Sequence, residues 1–529
     1  MKANAFGAQK PGTIQDKAFF SEETLKKITG KILENGDTEW GGFGNAPKFP
    51  QTFAIQYLLR QFHFQKDDAA LAQALLSLDK MIGGGIFDQI GGGFARYSTD
   101  VKWLAPHFEK MLYDNALLMN AMCEAYQLTG KKHYKRAIDQ TLEFIEREMS
   151  FTGKNPSHHS RLTPHGFYSA LDADSEGVEG KFYTWQKEEI VALLGDDAEL
   201  FCEFYGVSDE GNWEETNILW VQELPAAFAA KKGMTEEALD KVLINAGNQL
   251  LQHRAKRIRP ALDDKILLGW NALMNTAYSK AFAATGNTSY REKAIGNMSF
   301  IEQKFKQGED SWYHTFKDGQ AKIPAFLDDL AYLIQAYIHL QEITGNGSYL
   351  LKARQLTQWV IANFVEKDTG FFFFTPESQR DIVVRKKEVY DGATPSGNAI
   401  MVANLLYLSV VFDQANWREH AHDLLRSLAK AITDHPTSFC VWALSLQTVI
   451  RGQQEIAVIG QQANQFLGLI LKPFIPNKIL QAAETKTTDF PLLMGKEIPE
   501  LGNEVSFYLC KDYICSKPFT KIEQLLANV

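Results

Sequence analysis

One fourteen-residue run, Trp103-Leu104-Ala105-Pro106-His107-Phe108-Glu109-Lys110-Met111-Leu112-Tyr113-Asp114-Asn115-Ala116, gathers an imidazole, two carboxylates, a lysine, a phenol and a carboxamide. A neutral His beside a carboxylate serves as a general base, and neighbouring carboxyls can divide acid and base roles. Read as a helix from Pro106 onward, His107, Met111, Asp114 and Leu118 fall at i, i+4, i+7 and i+11 and share one face. Pro106 then sits in the first helical turn, where the positive end of the macrodipole keeps His107 neutral. The competing expectation is a buried hydrogen-bond network with a structural role only.

Further acid groups recur along the chain. The loop Ser169 to Gly180 carries Asp172, Asp174, Glu176 and Glu179 between the aromatic segments Phe167-Tyr168 and Phe182-Tyr183-Thr184-Trp185. Asp172, Asp174, Glu176 and Gly177 match a calcium loop, but Tyr183 stands where its bidentate Glu belongs, so a β-hairpin presenting acids at a cavity mouth is the better expectation. Asp263-Asp264-Lys265 precedes Trp270-Asn271, Pro324 leads into Asp328-Asp329, and Asp391 to Asn398 forms a turn with Ser396 as N-cap; helix capping is the alternative role for such acids. If these groups lie at matching ends of helix pairs, they converge on one cavity.

The catalytic candidates are therefore His107, Glu109, Asp114, Asp172, Asp174, Asp264 and Asp329, with Glu109 or Asp114 orienting His107. Trp103, Tyr113, Trp185 and Trp270 supply aromatic walls beside Asn271, and Arg96 and Lys110 suit an anionic substituent. Acids facing aromatic rings form a surface that sugars prefer, since C–H faces stack on rings while hydroxyls need acceptors. Such a site could hydrolyse a glycosidic bond or epimerise a sugar next to a carbonyl. A noncatalytic scaffold or glycan-binding toroid is the rival reading.

The elements that would position these groups are mainly helical. From about Ser21 to Arg451 apolar residues repeat with helical spacing, as in segments 53–64, 71–81, 108–128, 134–149, 268–284, 326–343, 349–364, 399–411 and 417–432. Pairs are split by short Thr-Gly breaks (Thr129-Gly130, Thr285-Gly286, Thr344-Gly345), whereas the alternate connections are long and rich in Gly and aromatics. Short connections on one side and long decorated ones on the other predict an (α/α)6 toroid over 21–452 rather than an open solenoid. The runs 455–459, 478–481 and 505–509 predict a small C-terminal α/β lobe over 453–529, and residues 1–20 read as a tail.

Composition narrows the partners. The 529 residues hold 55 Lys and Arg against 64 Asp and Glu, a net charge of -9 that argues against nucleic acid. No apolar run is long enough for a membrane span and the N-terminus has no apolar signal core, so a cytoplasmic protein is expected. Five scattered cysteines suggest free thiols, Cys510 and Cys515 included, and no metal or organic cofactor is expected.

The segments GGFGNAPKFP (41–50), GGIFDQIGGGFARYSTDVKWLAPHFEKMLYDNA (84–116), GFYSALDADSEGVEGKFYTW (166–185), DDKILLGWNAL (263–273) and DGATPSGNA (391–399) resemble the thioredoxin-domain-containing family related to spermatogenesis-associated protein 20. The resemblance implies a six-hairpin glycosidase-like toroid, akin to N-acylglucosamine 2-epimerases, with a role in carbohydrate metabolism. It also implies a thioredoxin-like domain with closely spaced cysteines ahead of the toroid. No Cys precedes Cys123 here, so either the chain is truncated or a thioredoxin-like protein is a separate partner.

Overall fold

Each helical hairpin stops where its sequence says it should. In the computed structural model, which describes residues 18–151, 165–308, 311–379, 382–496 and 505–529, Gly130, Gly286 and Gly345 adopt left-handed φ of 67°, 74° and 71°. They end the helices Leu112–Thr129, Leu268–Thr285 and Leu327–Thr344. The preceding threonine hydroxyls each donate at 2.7 Å to the carbonyl four residues back, so hydroxyl and glycine together satisfy the final turn. Residues 1–17 of the expected tail lie outside the described residues.

Six helices form an inner ring: Thr52–Gln65, Leu112–Thr129, Leu268–Thr285, Leu327–Thr344, Gly397–Val411 and Cys440–Arg451. Each packs on the next, and the last returns to the first. Asp68–Gly83, Lys132–Glu148, Thr288–Phe305, Ser348–Phe364 and Ala415–Ser427 back the first five from outside, while Glu22–Glu34 packs beside the sixth. Lys31 pairs with Asp434 at 3.0 Å, so the start of the described chain ties to the end of the ring. This is the (α/α)6 toroid.

Side-chain pattern decides which helix goes where. The outer helix Lys132–Glu148 buries Tyr134, Ala137, Ile138, Thr141, Leu142, Phe144 and Ile145, a single broad stripe. Leu327–Thr344 buries residues on every side, as an element enclosed by neighbours must.

Inner helices all run in one direction, which gathers their N-termini and the long connections at one end. Three inner helices secure these connections by the same device. Asn115, Asn271 and Asn398, near the helix starts, accept from the backbone N–H of Phe94, Phe167 and Phe372 at 2.8–2.9 Å, and each amide donates back to the same phenylalanine's carbonyl at 3.0 Å. Short strands stitch the rim: Lys110–Met111 pairs with Ala170–Leu171, which pairs with Leu262–Asp263.

Two expectations are corrected here. The helix read from Pro106 begins at Leu112, because Pro106–His107 forms a strand with Tyr97–Ser98 and the following backbone is held by Arg96 N–H donating to Glu109 O at 2.9 Å. His107 therefore shares no helical face with Asp114 and sits at no helix N-terminus. Cys510 and Cys515 are joined in a disulfide, since the hairpin of Ser506–Lys511 and Ile514–Cys515 sets them directly opposite each other.

Residues 187–254 form four helices around a satellite core of their own, including Trp185, Phe201, Phe228, Leu239 and Leu250. The C-terminal segment builds a four-stranded sheet in which Gln454–Ile459 lies parallel to Lys478–Ala483 and antiparallel to Ser506–Lys511. It covers the short-turn end of the ring, where Gln127 Nε2 donates to Leu471 O at 2.7 Å and Lys478 lies 3.6 Å from Glu342. No helix among the described residues is long and apolar enough to cross a membrane.

Candidate active site

The inner ring encloses a chamber of about 180 Å³ to which all six inner helices contribute. On Leu112–Thr129 the chamber is lined by Leu117 and Asn120, and one turn before Leu117 on the same face stands Asp114, at the loop end. On Leu327–Thr344 it is lined by Gln335, Ile338 and His339, and Asp328 begins that face two turns earlier. The loop end of the hollow thus begins with two carboxyls.

Asp114 is buried, and its Oδ2 has no hydrogen-bond partner. Burial, with the nearby charge of Glu109, drives its pKa well above the ordinary carboxyl range despite the opposing Arg96. Arg96 Nη1 donates to Glu109 Oε2 at 3.1 Å, and the Tyr113 ring meets Trp270 edge-on at 4.8 Å. His107 Nδ1 lies 2.7 Å from Glu179 Oε1, and its Nε2 is 3.9 Å from Glu109 Oε2. His107 also stacks on Tyr97 at 5.2 Å, which stacks on the partly exposed Phe49 at 4.8 Å. His107, Glu109, Arg96, Tyr113, Asp114 and Trp270 therefore form one contiguous cluster.

The partner that orients His107 is Glu179, the last acid of the 172–179 run, rather than Asp114. That run is a tight hairpin in which Asp174–Ser175 pairs with Val178–Glu179 across Glu176 and Gly177, both at positive φ. Asp174 faces solvent, as does Asp172, whose Oδ1 accepts from Ala173 N–H at 2.7 Å. Asp264 is exposed and pairs with Lys317 at 2.6 Å.

Asp329 is buried and committed to structure. Its oxygens accept from Gly269 N–H at 2.9 Å and Phe326 N–H at 2.9 Å, and His314 Nδ1 lies 2.8 Å away. Burial opposes charge on His314, but the Asp329 hydrogen bond and charge outweigh it and hold its pKa above the ordinary value. Its neighbour Asp328, which sequence reasoning did not select, accepts from Gly397 N–H at 2.9 Å. Burial and the charge of Asp329 push its pKa up to about 7. The signal available in sequence was the face Asp328, Gln335, His339, Glu342, polar along an otherwise apolar helix.

Several other candidates serve the scaffold. Trp103 is fully buried and donates to Trp40 O at 2.9 Å, and Trp185 belongs to the satellite core. Asn271 is one of the three loop clamps. Lys110 is buried against Asp88 at 2.9 Å, and Asp88 is also gripped through both oxygens by Arg254 at 2.8–2.9 Å. Burial and the nearby Arg254 bring Lys110 down to about 8 against the pull of Asp88.

No protein-family model matches the chain. Human spermatogenesis-associated protein 20 is 30% identical over 552 residues, covering 94% of this chain and 68% of that protein. The chain belongs to the spermatogenesis-associated protein 20 family. This member of the family is also similar in fold to a sugar epimerase from a ruminal bacterium (TM-score 0.32, 12% identity, covering 79% of this chain and 99% of that one). It is similar too to an α-1,6-mannanase from Salegentibacter sp. HEL1_6 (TM-score 0.43, 12% identity, 85% and 99% covered).

Proposed function

We propose that the loop-end cluster is the active site of a carbohydrate-converting enzyme, of sugar epimerase, isomerase or glycoside hydrolase type. The observation that carries this reading is Asp114: a buried carboxyl with one oxygen unpartnered and a pKa raised by burial, placed beside an arginine, a second carboxylate and an aromatic pair. A carboxyl whose pKa is raised by burial is suited to act as a general acid, and a second group in a different environment supplies the base. His107, fixed through Nδ1 by Glu179, fills that second role with Nε2 toward Glu109. Trp270, backed edge-on by the buried Tyr113, and the Phe49–Tyr97–His107 stack offer ring faces to sugar C–H groups while Arg96 and Glu109 meet hydroxyls.

The test is a panel of free and N-acylated sugars and oligosaccharides, followed for both epimer formation and glycoside cleavage. Turnover lost in Asp114→Asn and reduced at least a hundredfold in His107→Ala is the expected result. Absence of turnover across the panel contradicts the enzymatic reading and favours a noncatalytic toroid, working alone or with a thioredoxin-like partner.

A further inference from the structure

At the other end of the hollow, toward the C-terminal lobe, the chemistry reverses. Arg60, Lys280 and His339, from three inner helices, meet Lys478 from the lobe's sheet around the chamber floor, and all four also line an adjoining space of about 70 Å³. Two acids face them. Glu124 is bonded to Lys280 at 2.7 Å and to Gln56 at 2.8 Å, and Glu342 to His339 at 3.2 Å with Lys478 at 3.6 Å. Three permanent cations against two carboxylates leave one positive charge over, and it falls on Arg60, whose Nε has no hydrogen-bond partner.

An enclosed guanidinium facing open space is costly unless something negative joins it. Burial already lowers the Arg60 pKa, with Glu124 only partly compensating. Glu124 is directly bonded to Lys280 and Gln56, so Arg60 attracts it only through space and keeps its own Nε free for an incoming group. The volume above Arg60 is roughly ten times what a single water needs. Planar donors in a fork suit an oxyanion in bidentate geometry, and lysines add point charge.

We propose that the chamber floor is a binding site for a phosphate group, with Arg60 as its principal ligand and Lys280, Lys478 and His339 around it. The site is separate from the proton chemistry assigned to the loop end, so its failure leaves that reading standing.

The test is calorimetric titration of the full chain with inorganic phosphate, glucose 6-phosphate and glucose, combined with thermal melting. Both phosphates should bind and raise the melting temperature while glucose does neither; tighter binding of glucose 6-phosphate identifies a phosphorylated small molecule as the source of the group, and equal binding identifies free phosphate. Arg60→Gln should weaken phosphate binding at least tenfold at a temperature where the variant stays folded, and Arg60→Lys, which keeps the charge beside Glu124, should recover part of the affinity. Absence of phosphate binding to the unaltered chain, or binding undiminished in Arg60→Gln, overturns the proposal.

Discussion

The two ends of the inner ring differ in charge chemistry although the same six helices build both. At the loop end stand Asp114, Asp328 and Asp329; at the lobe end stand Arg60, Lys280 and His339. Parallel inner helices point their positive dipole ends at the loops and their negative ends at the lobe, so acids gain near one end and cations near the other. The dipole alone does not settle the protonation state. Asp328 and Asp114 are held toward the neutral form by burial even so, whereas the Glu124 pKa at the other end stays below the ordinary value because Lys280 and Arg60 overcome its desolvation. Direct ion pairing, more than helix direction, decides whether a buried carboxyl is pushed above or below its ordinary pKa.

This contrast can be broken by substitution. The largest effect is expected at the loop end, where Asp88 joins Lys110, Arg254 and the backbone N–H of Gly91. Asp88→Asn leaves two buried cations without their counter-charge and should cost about 3–5 kcal/mol in urea unfolding. Lys280→Met, which strands Glu124 at the other end, should cost less, because Gln56 remains and Arg60 can take over the pairing.

Protonation gives a second test. The Asp328 carboxyl binds its proton more tightly in the fold, at about 7, than at the ordinary 3.8, so its contribution to stability is full below about pH 4 and is lost as pH rises through 7. Asp328→Asn should remove about 2 kcal/mol of that decline, a figure reduced for the water that reaches this group. Unfolding midpoints measured from pH 4 to 8 on both proteins check it, and parallel curves would deny the neutral Asp328.

A third effect concerns ring closure. Asp391 accepts from Ser396 N–H at 3.1 Å and Val441 N–H at 3.0 Å, capping the last two inner helices together. Asp391→Ala should cost about 2 kcal/mol from two abandoned donors. The smallest effect distinguishes the lobe-covered end from an open turn. A Cβ on Gly345 would fall 1.8 Å from the Asn464 side chain, whereas around Gly130 there is open space. Gly345→Ala should therefore destabilise by roughly 1 kcal/mol more than Gly130→Ala, whose cost is the left-handed backbone alone.

Much of this architecture is legible in the residues themselves. The Thr-Gly stops, the striped outer helices and the all-round apolar inner ones each follow from local pattern, and the lobe's strands over 454–459, 478–483 and 506–511 lie where β-branched and aromatic runs put them. The start of the Leu112–Thr129 helix is not, because Pro106 looks like a first-turn proline while the strand that claims Pro106–His107 pairs with Tyr97–Ser98 across a loop. Site residues divide the same way. Asp114 falls on the inward face by helical spacing, but Glu179 reaches His107 only through a hairpin whose placement is tertiary. The floor escaped notice because Arg60, Lys280, His339 and Lys478 are far apart in sequence, although each of the first three interrupts a buried helix with a polar charge-bearing group.

General-acid work at the loop end requires a carboxylic acid rather than a carboxylate at Asp114, the direction in which burial and Glu109 drive it. Infrared difference spectroscopy of the unaltered chain against Asp114→Asn at pH 7 tests it directly. A protonated carboxyl C=O band present in the first and missing from the second is the predicted result; loss of a carboxylate band instead, with no change in the protonated region, would contradict it.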